Sequence, residues 1–109
     1  MATLSTQVVA LSGLNPAYVN ATSGGDKCEV GDRVFLHVKN GSASSVTVTL
    51  TATAAVRGQA VSNVTVSVPA SGERIIGPLS PDLLQSPTDG LCAIGYSAAT
   101  TVTVAALRI

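Results

Sequence analysis

The sequence predicts an all-β fold: a single antiparallel β-sandwich, jelly-roll or immunoglobulin-like, with about seven to nine short strands. The clearest indication is the segment 46–53, where apolar residues alternate with threonines without a break. This period of two places the apolar side chains on one face of a strand, whereas no helix would collect them on one face. Apolar residues make up 46% of the chain and aromatic residues only 3%. Such small side chains suit two thin sheets packed about 10 Å apart.

The first 25 residues are predicted to form an arm with an edge strand, and residues 26–109 to form the sandwich. Gly13, Pro16 and the pair Gly24-Gly25 interrupt the apolar residues of the first segment, so we expect it to become ordered when it binds a partner. Within the first 39 residues, strands are predicted at 6–11, 17–22, 27–31 and 33–39.

Asn40-Gly41 is a strong turn signal, after which the 46–53 strand is predicted to return antiparallel to 33–39. Ser80 and Pro81 suit the cap and first position of one helical turn over 80–84. This turn falls in the longest irregular region, residues 77–90. The remaining strands are predicted around Val64, Val66 and Val68, and over 73–76, 91–97 and 101–109.

The last strand changes its pattern of apolar residues along its length. Val102 and Val104 share one face of the strand, whereas Leu107 and Ile109 share the other. Either a bulge near Ala105-Ala106 switches the faces, or the end of the strand is buried on both sides. The bulge is the favoured interpretation.

The charge of the chain excludes several classes of partner. Six basic residues balance six acidic ones, so the formal net charge is zero. Nucleic acids and anionic membrane surfaces both require a cationic surface, so neither is expected as a partner. A neutral, lightly charged surface is prone to association, which is typical of a protein in a permanent assembly. The N-terminus does not read as a signal peptide, so an intracellular site of synthesis is expected.

Cys28 and Cys92 are expected to be reduced thiols, with Cys92 buried and Cys28 near a loop. A bridge between them, if formed, would contribute up to roughly 4 kcal/mol to stability. Together with His37, the only histidine, they would supply three zinc ligands only through a coincidence of folding. No metal site is predicted here.

The remaining polar residues do not form a recognisable catalytic motif. His37 lies on a predicted strand face beside Phe35 and Lys39 and is interpreted as a packed or interface residue, because no local nucleophile or carboxylate accompanies it. This interpretation would fail if His37 met acidic or thiol groups around a cleft. Glu73 and Arg74 are interpreted as a solvated pair. We therefore predict no enzyme activity, no catalytic residue and no cofactor.

Acidic residues near Gly24, Gly25 and Gly31 invite comparison with a calcium loop. They lack the spacing of an EF-hand and have basic neighbours, so an exposed loop with compensating charges is the favoured interpretation. The three acidic residues are Asp26, Glu29 and Asp32.

Three segments carry a family resemblance: Phe35-Leu-His-Val-Lys-Asn-Gly-Ser, Val68-Pro-Ala-Ser-Gly-Glu-Arg-Ile-Ile-Gly-Pro, and the ending from Tyr96-Ser through Thr101-Val-Thr-Val-Ala-Ala-Leu-Arg-Ile. From about residue 30 onward the chain resembles small β-rich head proteins of tailed bacteriophages, especially those that infect actinobacteria. The resemblance implies a capsid decoration (cement) protein on the virion surface. Its partner would be the major capsid protein, and it would form homo-oligomers, with a trimer favoured.

Two other functions remain open at this point. One is a ligand-binding sandwich that recognises carbohydrate or protein, either on a virion or on a cell surface. The other is a head–tail connector or a tail component.

Overall fold

The computed structural model describes residues 2–109 and confirms the all-β sandwich. Ten strands form two five-stranded sheets, and two further strands form a separate hairpin. This exceeds the predicted number because several strands have only two or three residues. The elements are β1 (Ala2–Thr3), β2 (Thr6–Val8), β3 (Val19–Asn20), β4 (Asp26–Cys28), β5 (Val34–Asn40), β6 (Val46–Leu50), β7 (Ala55–Val56), β8 (Gln59–Ala60), β9 (Val64–Val68), β10 (Glu73–Ile76), α1 (Pro81–Leu84), β11 (Cys92–Tyr96) and β12 (Val102–Arg108).

The two sheets pack face to face. We call the sheet with the order β1-β4-β11-β6-β9 sheet I, and the sheet with the order β10-β5-β12-β2 sheet II. In sheet II, β3 also pairs with β12. The pairing is antiparallel except at β1 with β4 and at β2 with β12, which are parallel.

The core lies between the sheets and follows the predicted alternation. Every second residue of β5 and β6 is buried, and the residues between them are more exposed. Leu36, Val38 and Val48 have no exposed surface at all. Period-two alternation therefore assigned the faces of β5 and β6 correctly.

The predicted hairpin between the 33–39 and 46–53 strands is wrong. Strand β5 pairs with β10 and β12 in sheet II, whereas β6 pairs with β9 and β11 in sheet I. The turn at Asn40-Gly41 therefore carries the chain from one sheet to the other. Because the two strands belong to different sheets, each pairs its backbone with other segments of the chain. The β6 strand also ends at Leu50 rather than at residue 53.

The favoured bulge in the last strand is wrong as well. Residues 102–108 pair with residues 40–34 in one unbroken register. The alternative holds, because the strand is buried on both sides: Ala105 and Leu107 point away from the core but are only 2% and 7% exposed. The segment at Ala17 and Tyr18 lies over this part of sheet II. The Gln7 side chain holds Ala17 with two hydrogen bonds of 2.8 Å.

The first 25 residues contribute edge strands to both sheets. Strand β1 joins sheet I, and β2 and β3 both line the outer edge of β12 in sheet II. Between them, residues 9–18 contain a turn in which Gly13 N–H donates to Ala10 O. Strands β2, β3 and β4 are shorter than the predicted strands at 6–11, 17–22 and 27–31.

The long irregular region contains the predicted helical turn, α1, which starts after Ser80 with Pro81 in its first turn. The Ser80 side chain forms no capping hydrogen bond, so the proline and backbone bonds define the turn. No helix within residues 2–109 has the length and hydrophobicity needed to cross a membrane.

Candidate interaction surface

The two outer faces of the sandwich differ in chemistry. The outer face of sheet I carries mainly hydroxyl and small side chains, including Thr47 opposite Ser67 and Thr49 opposite Thr65. The outer face of sheet II combines aromatic, aliphatic and charged side chains. A surface with an apolar centre and a polar rim is typical of protein interfaces, so sheet II presents the stronger candidate.

An apolar depression lies at one end of this face. Besides the buried Val34, its apolar side chains are Phe35 from β5, Ile75 from β10, and Pro78 and Ile109 from the segments that follow β10 and β12. We call these four residues the apolar patch. The depression has a volume of about 320 Å³, and Ile75 and Ile109 are 67% and 69% exposed.

Charged residues and one further exposed apolar residue lie next to the patch. Asp32 and Arg33 also line the depression. Val9 N–H donates to Arg108 O beside Ile109, and Val9 is 42% exposed. Exposed apolar groups collected in one region mark interaction sites on soluble proteins.

Sequence reasoning missed Ile75 as a surface residue, although the signal was present. Two adjacent residues of one strand point to opposite faces, so Ile75 and Ile76 cannot both enter the core. Ile76 is buried, which leaves Ile75 on the outer face.

His37 lies at the centre of a polar network next to the patch. Its Nδ1 is 2.6 Å from the Tyr18 hydroxyl, and its Nε2 is 3.1 Å from Glu73 Oε1. Lys39 Nζ sits 4.0 Å from the centre of the Tyr18 ring, a cation–π contact. The network holds the segment before β3 against β5 and β10.

The His37 network meets an acidic group, but on an open sheet face. Glu73 is 61% exposed. None of the three residues Tyr18, His37 and Glu73 lines the apolar depression or the cleft at the outer edge of β12. The interpretation of His37 as a packed residue therefore fits its surroundings. Glu73 and Arg74 are both exposed to solvent as predicted, but their side chains do not pair with each other: Glu73 contacts His37, while the Arg74 guanidinium donates to the Glu73 carbonyl.

A cleft separate from the apolar depression lies at the outer edge of β12. It has a volume of about 430 Å³. Its floor is the Val104–Ala106 part of β12, and its walls include Leu4, Gln7 and Val19 from the N-terminal segment. It forms because β2 and β3 occupy the same edge of β12 end to end and leave a gap between them.

The candidate metal ligands do not converge. Asp26 is buried in β4, while Glu29 and Asp32 are exposed. His37 lies on the outer face of sheet II, whereas Cys28 and Cys92 are buried in sheet I. Among the residues that the structure describes, no three histidine, cysteine or acidic side chains are placed to hold a metal ion.

The two cysteines face each other directly. Cys28, expected near a loop, is in β4, where it is paired with Cys92 of β11. Both are fully buried free thiols. The hydrogen bond with Cys92 and burial raise the pKa of the Cys28 thiol well above its ordinary value.

Asp26 and Tyr96 form a polar pair inside sheet I. The Tyr96 hydroxyl donates to Asp26 Oδ2 at 2.8 Å, and Thr22 N–H donates to the same oxygen at 3.2 Å. Burial, and then the hydrogen bond to Asp26, raise the pKa of Tyr96 well above its ordinary value of 10.

We expect this shift to destabilise the protein in alkali. Above about pH 10 the unfolded chain loses the tyrosine proton while the folded chain keeps it, so the free energy of unfolding falls as the pH rises. A difference of one bound proton limits the fall to about 1.4 kcal/mol per pH unit, and solvent screening of the partly buried Tyr96 reduces the total fall. Urea unfolding between pH 9 and pH 11, in reducing agent, measures the slope. The Tyr96→Phe variant should show a shallower slope, and identical slopes would contradict the assignment.

Comparison with protein-family models, curated protein sequences and solved structures finds no match to this chain.

Proposed function

We propose that the protein is a structural virion protein that decorates the capsid of a tailed bacteriophage. In this role it binds the outer surface of the major capsid protein lattice and stabilises it. The observation that carries the proposal is the apolar patch with its charged rim, on a small sandwich in which no three described histidine, cysteine or acidic side chains are placed to hold a metal ion. The protein acts by binding, and the bacteriophage resemblance from residue 30 onward indicates the lattice as its partner.

The size of the protein suits this role. A standard protein interface covers about 800 Å² on each partner, and the described chain exposes 6175 Å². One face of the sandwich is therefore enough for a specific contact. Many copies, held together as homo-oligomers, gain avidity on a repeating lattice, so each contact can be modest. A trimer is the arrangement that the resemblance implies.

Two measurements test the proposal. Mass spectrometry of purified virions should find this chain in hundreds of copies, whereas six or twelve copies would instead indicate a connector at the head–tail junction. Binding of the purified protein to capsids that lack it should be saturable.

The Ile75→Asp variant tests which face binds the capsid. The substitution places a charge in the apolar patch, so capsid affinity should fall at least about 10-fold, while the exposed position leaves stability nearly unchanged. Val19→Asp is the matched control, because Val19 is an exposed apolar strand residue outside the patch. Equal affinities for wild type and Ile75→Asp would refute the role of the patch.

The cleft at the edge of β12 favours a second candidate function, a virion-associated or cell-surface module that binds carbohydrate or protein. Its volume and concave shape fit a small ligand, although no aromatic side chain lines it. A glycan array probed with the isolated protein tests this function. Binding that is lost in Val19→Asp and kept in Ile75→Asp would support it over capsid decoration.

A further inference from the structure

Strand β9 forms one edge of sheet I. It pairs with β6 on one side, and no strand within residues 2–109 pairs with its other side. An edge strand presents a row of unpaired N–H and C=O groups, and the group that satisfies them best is another extended backbone. The chemistry of the edge therefore specifies its occupant as a β-strand.

The β9 edge lacks the devices that usually prevent such pairing. Natural sheets protect their edges with charged side chains, prolines, bulges or very short strands. Residues 58–72 contain no charged residue, and Pro69 follows the strand rather than interrupting it. The edge strand β10 of sheet II, by contrast, carries Glu73 and Arg74.

The inward-facing side chains are also less completely buried at this edge than on the neighbouring strand. On β6, the inward residues Val46 and Val48 are at most 1% exposed. On β9, Val64 and Val66 point the same way but are only partly buried, and full burial is reached only at Val68. A further strand beside β9 would cover these two valines.

We propose that β9 pairs with β9 of a second copy of this chain, antiparallel and centred on Val66. In this register Val66 lies opposite Val66 of the other copy, Val64 opposite Val68, and Thr65 opposite Ser67. Directly opposite residues in an antiparallel pair point to the same face, so the valines continue the core layer and the hydroxyls continue the outer face. A shift by one residue would place valine beside threonine and expose the apolar row.

This inference goes beyond capsid decoration and does not depend on it. The pairing has twofold symmetry, because the same strand is used by both copies. It therefore differs from the trimer that the bacteriophage resemblance implies. The stoichiometry in solution distinguishes the two arrangements.

The test is sedimentation analysis of the purified protein over a concentration series. We expect a reversible monomer–dimer equilibrium with a Kd in the micromolar range. In the double variant Thr65→Lys/Ser67→Lys, the register places lysine directly opposite lysine at two positions, and such like-charged pairs are destabilising. Dimer affinity should fall at least about 10-fold.

The matched control is Thr47→Lys/Thr49→Lys. These residues lie opposite Ser67 and Thr65 on the same face, but on the interior strand β6, so the dimer should persist. Mixing the lysine variant of β9 with Thr65→Glu/Ser67→Glu should restore a heterodimer, because each lysine then meets a glutamate. A wild type that stays monomeric at about 500 μM or forms only trimers, a lysine variant that dimerises like wild type, or a control that loses the dimer would each overturn the proposal.

Discussion

Oxidation of Cys28 and Cys92 to a disulfide is expected to raise the free energy of unfolding by about 4 kcal/mol. The two residues are directly opposite each other in the antiparallel pair of β4 and β11. Opposite residues in such a pair have Cα atoms about 4.5 to 5.5 Å apart, which lies within the range that a disulfide spans. The bridge would close a long loop and so restrict the unfolded chain.

The bridge should form during folding rather than afterwards. Both thiols are fully buried, so a dissolved oxidant has little access to them in the folded protein. Refolding from urea with oxidised glutathione supplies the oxidant. The two cysteine thiols lose two protons and two electrons, and the reagent leaves as two molecules of reduced glutathione.

Urea unfolding of the oxidised and the reduced protein measures the effect, and mass spectrometry confirms the loss of two hydrogen atoms. The Cys92→Ala variant serves as the control, because it cannot form the bridge and should be equally stable after both treatments. A bridged protein that is less stable than the reduced protein would show that the sheet does not accommodate the disulfide.

Replacement of Asn40 with alanine is expected to lower the free energy of unfolding by about 3 kcal/mol or more. Asn40 is 2% exposed, and its side chain joins two turns. The Nδ2 group donates to the carbonyls of Ser44, Val68 and Pro69 at 2.8 to 3.2 Å. The Oδ1 atom accepts from the backbone N–H and the hydroxyl of Ser42.

The cost arises because alanine removes all of these hydrogen bonds at once, including the buried one to Val68 O, and each contributes about 0.5 to 1.5 kcal/mol. Asn40→Asp keeps the acceptor for Ser42 but turns an oxygen toward three carbonyl oxygens, so it should also destabilise the protein strongly. The control is Asn20→Ala on the exposed strand β3, which should change stability by no more than about 0.5 kcal/mol. Chemical denaturation of the three variants measures the differences, and a near-neutral Asn40→Ala would contradict the anchoring role.

Local sequence patterns were sufficient to predict much of the fold. Alternation in residues 34–40 and 46–50 assigned their faces correctly, because side-chain direction in a strand depends only on position along that strand. Pro81 indicated the helical turn for a similarly local reason. The candidate surface was only partly predictable: His37 was recognised as a packed residue, but its partners Tyr18 and Glu73 come from separate strands or segments.

The sequence by itself determined the class of fold, the faces of β5 and β6 and the positions of the main turns, since these follow from neighbouring residues. Only the tertiary structure decided that β5 and β6 lie in different sheets, that Cys28 meets Cys92, and that Ile75 and Ile109 share one surface with Phe35. These outcomes depend on packing between segments far apart in the chain. Several pairings satisfy the same local pattern, and burial of the whole core selects among them.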